Sequence, residues 1–349
     1  VFWDIYATPS IVSPGQSGSV TVTVKNVGPV AAAAFYVDFY KDKAAAPGMQ
    51  VGDFYCSISG LAVSATTTCK GTVSYPSIGT KKMWAQVDTD QQVEESNEIN
   101  NVGGPNTLQV NPAVSITITT SPAGKIIKAD SAVYTAPQTF NWASGSTHTI
   151  GTTSPQSGGA GTQYAFSSWS DGGAQTHSIT VPSSATTYTA NFTTQYQLTT
   201  SVNPSGGGIV SPNCSGGCWY NSGSPVTLTA TPNTGYYFSS WSGSISSTSN
   251  PVNITMDAAK TVTANFSATS ADLLVSSWTA PANACGGAQI SIKDTTKNQG
   301  TGIADASQTC FYFSTNTTLD AGDTKLACRA IPSLASGTPS PPTGQATTN

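Results

Sequence analysis

Charged side chains are scarce in this chain of 349 residues. Asp, Glu, Lys and Arg together make up 9% of it, whereas about 25% is usual for soluble proteins. The formal net charge is −4 and no run of Lys or Arg occurs, so we expect no binding to nucleic-acid phosphates. No stretch of about 18 consecutive apolar residues is present, and we therefore expect no transmembrane helix in this chain.

The residues and motifs of common enzymes are also rare. The chain has two histidines, His148 and His177, and neither has an acidic residue at a spacing that suggests an activated base. The patterns G-x-S-x-G, H-E-x-x-H and the P-loop are missing from the sequence. Between Asp130 and Asp257 the single acidic residue is Asp171. We expect this chain not to be an enzyme.

The pattern that is present has a period of two residues. Apolar side chains alternate with Thr or Ser at residues 19–24, 114–120 and 226–230, as they do in half-buried strands. Glycine-rich turn signals, such as residues 171–173 and 206–208, separate these segments. Helical periodicity longer than a turn or two does not occur. The sequence therefore predicts an all-β fold.

Two internal repeats organise the chain. The motif F-S-S-W-S occurs at residues 166–170 and again at 238–242, and A-N-F occurs at 190–192 and 264–266. A second repeat relates the two ends of the chain, because V-T-V-K-N-V-G near the start resembles I-S-I-K-D-T-T-K-N-Q-G near the end. The predicted order is A–B–B–A, with four modules at residues 1–111, 112–195, 196–268 and 269–349.

Residues 1–111 resemble a CARDB module, a bacterial domain related to cell adhesion. The resemblance rests on the K-N-V-G turn at residues 25–28, the aromatic pair at 39–40 and the closing E-E-S-N-E-I-N-N at 94–101. CARDB modules are similar to immunoglobulin or fibronectin sandwiches. The resemblance therefore implies an antiparallel β-sandwich at the start of the chain.

The other modules resemble bacterial repeat families as well. Residues 271–349 resemble a second CARDB module through D-L-L-V at 272–275, K-N-Q-G at 297–300 and L-D-A-G-D at 319–323. They lack the closing E-x-x-N-E-x-N-N motif, and we expect this module to be incomplete. Residues 113–268 resemble two divergent internalin-B-type repeats through F-S-S-W-S and A-N-F. These resemblances imply tandem small β-sandwich and β-repeat modules.

The seven cysteines indicate disulfides that form outside the cytosol, because short-range pairs sit among strand and turn residues. In the last module, Cys310 and Cys328 are equidistant from Leu319, which favours their pairing across a hairpin. The alternative there is a bond between Cys285 and Cys310. We expect the odd thiol to find its partner beyond residue 349 or in another chain. The predicted pairs are Cys56–Cys69, Cys214–Cys218 and Cys310–Cys328.

Two groups of residues are candidate binding sites. Asp88, Asp90 and Glu94 begin the only dense acidic patch, and closely spaced oxygen ligands of this kind could hold a structural Ca²⁺. No EF-hand spacing is present, and the alternative is a solvated loop whose side chains satisfy turn backbone groups. Trp219 and Tyr220, beside a predicted disulfide loop, are the candidate exposed aromatic patch for a ligand. No other cofactor is expected.

The recurring tryptophans have a different interpretation. Trp169 and Trp241 occupy the same place in the two repeats, each three residues after a phenylalanine. Each repeat has few other large side chains, so we predict that these rings fill the repeat cores.

These features favour a non-enzymatic structural or adhesive protein, secreted or held at a bacterial cell surface. It would act as an extended multidomain spacer, an adhesin segment or a subunit of an extracellular fibre, with other protein subunits or surface glycans as partners, and it could form a homopolymer. The alternative is a carbohydrate-binding accessory region of a larger secreted hydrolase. The alternative requires Trp219 and Tyr220 to be exposed.

Overall fold

The computed structural model describes residues 2–285, 287–341 and 346–347. Their regular structure is built from strands, with one 3₁₀ turn at Glu98–Asn100, so the prediction of an all-β fold is confirmed. The strand Ala113–Ser121 shows the cause, since Val114, Ile116 and Ile118 are buried while the residues between them are partly or fully exposed. Within the described ranges no helix is long and apolar enough to cross a bilayer.

The chain forms two compact units. The first comprises residues 1–157 and 163–193, and the second comprises residues 158–162 and 194–349. Each unit includes one predicted CARDB-like module and one predicted repeat, and the finer division into four modules stays a prediction. Residues 342–345 and 348–349, which we assigned to the last module, lie outside the described residues.

The N-terminal part of the first unit is a sandwich of two sheets. One sheet has the strand order β1-β3-β6, and the other has the order β2-β8-β7-β4-β5. Their inward-facing residues, including Val22, Phe39 and Leu108, form one buried cluster. The strands are β1 (Phe2–Thr8), β2 (Ile11–Val12), β3 (Ser17–Lys25), β4 (Phe35–Lys41), β5 (Phe54–Ile58), β6 (Thr66–Ser74), β7 (Gly79–Val87) and β8 (Val102–Val110).

The rest of the first unit is the predicted first repeat. One sheet has the order β11-β10-β13-β16, while β12, β9, the first part of β17, β15 and β14 lie side by side in the other. Trp169 and Ile150 are in the core between them. The strands are β9 (Ala113–Ser121), β10 (Ile126–Ala129), β11 (Ala132–Thr135), β12 (Gln138–Ala143), β13 (Thr147–Thr152), β14 (Gln156–Ser157), β15 (Thr162–Trp169), β16 (Thr176–Thr180) and β17 (Thr186–Asn203).

The second unit begins with the second repeat. The later part of β17 pairs with β19 and, in parallel, with β23, which also pairs with β21. A separate sheet has the order β18-β20-β22, and Trp241 and Leu228 are buried in the core. The strands are β18 (Gly208–Ser211), β19 (Cys218–Asn221), β20 (Pro225–Pro232), β21 (Tyr236–Gly243), β22 (Val252–Thr255) and β23 (Lys260–Ala268).

The second unit ends in three two-stranded sheets, which pair β24 with β26, β25 with β29 and β27 with β28. The buried apolar cluster here is small and consists of Ala304, Ile331 and Leu334. Buried polar residues, including Asp294, Thr296 and Asn298, lie in β26 of the same part. The strands are β24 (Leu273–Thr279), β25 (Gln289–Ile290), β26 (Lys293–Asn298), β27 (Ser307–Phe313), β28 (Thr324–Ile331) and β29 (Ala346–Thr347).

The two repeats use their shared motifs in the same way. The indole N–H of Trp169 donates to the carbonyl of Gln175 at 3.1 Å, and that of Trp241 donates to the carbonyl of Ser249 at 3.0 Å. Each F-S-S-W-S phenylalanine meets the A-N-F phenylalanine of its own repeat edge to face, at 6.2 Å in both cases. Both tryptophans are buried. The motifs thus encode one aromatic core that occurs twice.

The two ends of the chain share an asparagine-centred turn. The side-chain oxygen of Asn26 accepts the N–H of Gly28, and its amide donates to the carbonyls of Val30 and Leu61. Asn298 repeats these contacts, accepting from Gly300 and donating to the carbonyls of Gly302 and Leu334. Each asparagine therefore satisfies two backbone groups of its own turn and one carbonyl 35 or 36 residues away in the sequence, and Asn298 also accepts the N–H of Asp272. This constellation is the structural counterpart of the K-N-x-G sequence repeat.

Candidate functional site

The structure brings together the three cysteine pairs expected from the sequence. The S–S distances are 2.00 Å for Cys56–Cys69, 2.14 Å for Cys214–Cys218 and 2.10 Å for Cys310–Cys328. Cys56 lies in β5 and Cys69 in β6, so the first bond joins the two sheets of the N-terminal sandwich. Cys310 and Cys328 face each other across the β27–β28 hairpin. Cys285 is a free, exposed thiol.

The acidic segment after β7 contains the calcium candidates Asp88, Asp90 and Glu94, and the calcium interpretation stays a prediction. Asp88 is buried, and its two oxygens accept the backbone N–H groups of Gln92 and Val93, each at 2.9 Å. Asp90 and Glu94 are exposed. Across the described part of the chain, no three His, Cys, Asp or Glu side chains are grouped so that they could hold a metal ion. Asp88 thus holds the turn after β7, while Asp90 and Glu94 lie at the surface.

The two residues of the proposed aromatic patch differ in exposure. Trp219 is 38% exposed, but Tyr220 is half-buried and packs against the core of the second repeat. The two are neighbours in the strand Cys218–Asn221, and neighbouring residues of a strand point to opposite faces. They therefore do not form one exposed platform for a sugar ring.

Each histidine has an acidic partner, contrary to the expectation from spacing. Strands β10 and β13 pair so that Ala129 lies opposite Ile150, which brings Asp130 beside His148. The Nδ1 atom of His148 is 2.9 Å from Asp130 Oδ2, and its Nε2 atom is 3.0 Å from the Ser146 hydroxyl. These three side chains have the connectivity of a Ser-His-Asp triad.

The surroundings of Ser146 differ from those of a hydrolytic site. Its hydroxyl also approaches the carbonyl of Ala143 at 2.6 Å, an acceptor that competes with His148 for the hydroxyl proton. The N–H groups of Gly145 and Ser146 already donate to the carbonyls of Val181 and Ala143. Because both N–H groups are already hydrogen-bonded to these carbonyls, they do not form an oxyanion hole. The hydrogen bonds among Ser146, His148 and Asp130 can hold the turn before β13 in place, and we assign them that structural role.

The ring of His148 is also part of an aromatic stack. It lies parallel to the indole of Trp142, with centroids 3.9 Å apart. The ring of Phe140 also stacks on Trp142, at 4.7 Å. Trp142 and His148 border a cleft of about 410 Å³ in the first unit. Because the indole of Trp142 stacks on Phe140 and on His148, it is not free to stack on a sugar ring in this cleft.

The second histidine is held between two acceptors. His177 is 2.9 Å from Asp171 Oδ2 through Nε2, and 2.8 Å from the carbonyl of Ala174 through Nδ1. Burial disfavours the charge of Asp171, but hydrogen bonds from His177 and the N–H of Gly173 outweigh it together. They hold the pKa of Asp171 below its ordinary value of 3.8.

The low pKa of Asp171 predicts an acid-sensitive loop. A carboxyl group whose pKa is lower in the folded state stabilises the fold at pH values above its unfolded pKa. That contribution is lost as the pH falls through the range below 3.8. In ¹⁵N-glycine NMR, we expect the Gly173 amide to titrate with a midpoint below 3.8, and a midpoint above this value would contradict the assignment.

The Asp171→Asn variant should be less stable to urea at neutral pH, with the difference in stability between the variant and the native chain shrinking below about pH 4.

The junction within the first unit is short and hydrogen-bonded. Strand β8 ends at Val110 and β9 begins at Ala113, so Asn111 and Pro112 alone connect the sandwich to the first repeat. The N–H of Asn111 donates to the carbonyl of Val12 at 2.9 Å, and its side-chain amide donates to the carbonyl of Ser144 at 2.5 Å. The same residue thus contacts both parts.

Two known families match separate parts of this chain. Residues 3–104 match the CARDB family. Residues 198–270 match the divergent InlB B-repeat domain. Both resemblances drawn from the motifs are confirmed over these residues. A CARDB module at the chain's end and a repeat at residues 112–195 stay predictions, although the latter shares the aromatic contacts of its matched neighbour.

A CARDB domain and a bacterial adhesin are among the solved structures similar to parts of this chain. The CARDB domain of a Pyrococcus furiosus protein, in complex with di-metal ions, is 23% identical, with 30% of this chain and 81% of that one covered and a TM-score of 0.25. A Mobiluncus mulieris adhesin with intramolecular disulfide, isopeptide and ester cross-links is 9% identical, with 55% and 98% covered and a TM-score of 0.22. A second crystal form of that adhesin gives 10% and 0.21. No curated protein matches the chain.

Proposed function

We propose that this chain is a non-catalytic structural segment of an extracellular or cell-surface protein, which holds neighbouring parts at a fixed spacing in an adhesin or spacer. The observation that carries the proposal is the junction at Asn111. Domain boundaries usually fall in flexible linkers that few contacts cross. Here the link is two residues long, and one asparagine is hydrogen-bonded to both sides.

The disulfides support an extracellular location. Bonds of this kind persist in oxidising compartments and are rare in the cytosol. The bond between Cys56 and Cys69 also joins two sheets that otherwise meet through apolar packing. Constraining the unfolded chain in this way stabilises the module against opening, which suits a segment that works outside the cell.

The match to CARDB supports an adhesive context for the same segment. The geometry around Ser146 supports a non-catalytic role, because the nearest N–H groups are already committed to other carbonyls. Trp219 and Tyr220, on opposite strand faces, give no support to a carbohydrate-binding accessory region. A structural segment therefore agrees best with these observations.

Spacing across the junction can be measured by pulsed electron spin resonance. Spin labels carried by non-natural amino acids at the exposed positions Lys70 and Thr176 leave the disulfides intact. We expect a narrow distance distribution in the native chain. A short Gly-Ser insertion after Asn111 should broaden it, because such linkers behave as flexible coils. Equally broad distributions in both chains would refute a fixed spacing.

A second measurement addresses how the segment is used. Electron microscopy of native material, with and without reductant, should show individual molecules if the segment is a spacer or part of an adhesin. Regular filaments would instead make it a fibre subunit. Disassembly of such filaments by reductant would point to intermolecular disulfides, for which Cys285 is the free thiol in the described residues.

A further inference from the structure

A cleft of about 380 Å³ opens on the five-stranded sheet of the N-terminal sandwich. Tyr36 and Asp38 are two residues apart in β4 and so share a face, and Tyr55 lies opposite Asp38 in β5. The segment before β5 adds Met49 and Val51, while Asp90 comes from the turn after β7. Three separate segments thus converge on one concave surface.

The two tyrosines form an aromatic corner. Their ring centroids are 5.5 Å apart and the ring planes meet at 85°, so a group in the corner faces the plane of one ring and the edge of the other. Tyr55, Met49 and Val51 are 59%, 66% and 83% exposed. Large apolar side chains clustered at the surface indicate an interaction site more often than single exposed ones do.

The charge of the cleft is negative. Asp38 is buried and accepts the Gly52 N–H at 2.8 Å and the hydroxyl of Thr89 at 2.5 Å, contacts that fix its position without neutralising it. Asp90 is exposed at the rim. The cleft lining contains no Lys, Arg or His, and neither carboxylate forms an ion pair with any residue that the structure describes. The cleft therefore presents uncompensated negative charge beside aromatic rings.

We propose that this cleft binds the protonated side chain of a lysine presented by a partner protein. An ammonium group is attracted both to carboxylates and to the face of a tyrosine ring. The four-carbon stem of lysine would lie along Met49 and Val51, as such stems do on apolar surfaces. A hard metal ion is a poorer fit, since Ca²⁺ requires six to eight oxygen ligands and half of this lining is apolar. The proposal does not depend on the structural function proposed above.

The three methionines of the chain provide a direct test. Met49 lines the cleft, whereas Met83 and Met256 are fully buried elsewhere. In a chain labelled with ¹³C at the methionine methyl groups, a capped Gly-Lys-Gly peptide should shift the Met49 resonance with a dissociation constant in the millimolar range. Met83 and Met256 should not move, and their unchanged positions in each variant report that the fold is intact.

Variants separate the two contributions to binding. Tyr55→Ala should weaken binding about 2- to 5-fold, the change expected for one exposed cation–π contact. Asp90→Asn, which removes charge without changing size, should weaken binding by a similar factor. The matched controls are Tyr6→Ala and Glu94→Gln, which alter an exposed tyrosine and an exposed carboxylate of the same module outside the cleft. Neither should change the affinity.

Four results would overturn the proposal. A Gly-norleucine-Gly peptide that binds as well as the lysine peptide would show that only apolar contact matters. Stronger binding of an arginine peptide would assign the cleft to a guanidinium group. A shift of Met49 with Ca²⁺ and none with the lysine peptide would make it a metal site. The absence of any shift at the highest soluble peptide concentration would remove the site altogether.

Discussion

Replacing Arg329 with Met is expected to destabilise the C-terminal part of the second unit by about 3–5 kcal/mol, the usual cost of leaving a buried charge without its partner. The side chain of Asp294 is 0% exposed. The guanidinium donates to both of its carboxylate oxygens, from Nε at 2.7 Å and from a terminal nitrogen at 2.8 Å. Thr296 adds one hydrogen bond to Asp294 at 3.1 Å, which is too little to compensate for the lost cation.

The loss of stability in Arg329→Met should be confined to the C-terminal part of the second unit, because the apolar cluster there consists of three small or medium side chains. Hydrogen exchange read by mass spectrometry on peptides from β26 to β28 can follow it, while peptides from the first unit keep their protection. Lys325→Met, at an exposed position of the same strand, is the matched control and should change little. A double variant Asp294→Leu/Arg329→Met should regain stability relative to Arg329→Met, because it removes the unpaired charge. Equal losses in Arg329→Met and Lys325→Met would contradict the prediction.

The second large effect is expected for Trp241→Ala. This ring is 1% exposed, packs beside Phe238 at 5.3 Å and donates to the carbonyl of Ser249. Truncation would leave a cavity in a small core and would remove the hydrogen bond to Ser249, a residue at the surface. A loss of about 3–5 kcal/mol is typical of large aromatic side chains in such positions.

The exposed tryptophan of the same repeat provides a control for Trp241→Ala. Trp219→Ala should change stability by no more than about 0.5 kcal/mol, because surface substitutions away from special contacts have small effects. Urea unfolding of a chain with several cores need not be two-state, so we would compare hydrogen exchange in peptides from β20 to β23. Similar exchange rates in Trp241→Ala and Trp219→Ala would show that the repeat core does not depend on the buried ring.

Several features of the fold could be read from the sequence because they depend on local periodicity or on recurrence. Alternation of apolar and hydroxyl side chains predicted strands such as Ala113–Ser121. Recurrence of F-S-S-W-S predicted that Trp169 and Trp241 occupy equivalent places, and both are buried with the same hydrogen bond. The equal spacing of two cysteines from Leu319 predicted a hairpin that the structure contains.

The site residues were harder to predict because their contacts depend on pairing between strands. Asp130 and His148 are 18 positions apart and meet because β10 and β13 are neighbours. No spacing rule for helices or short turns would have selected them. The opposite faces of Trp219 and Tyr220, in contrast, follow from the same period of two that predicted the strands. Applied at this position, that rule would have shown that the two rings point apart.

The bond between the sheets of the N-terminal sandwich has a mechanical consequence. If the module were pulled from its two ends until its strands separated, the chain between Cys56 and Cys69, a sequence separation of 13, would stay closed behind the bond. At roughly 3.5 Å per extended residue, and after subtracting the 5.7 Å between the two Cα atoms, about 40 Å of contour length would be withheld from extension. The oxidised module would therefore reach a shorter maximum extension than the reduced one. The redox state of one cysteine pair would set how far this part of the chain extends under force.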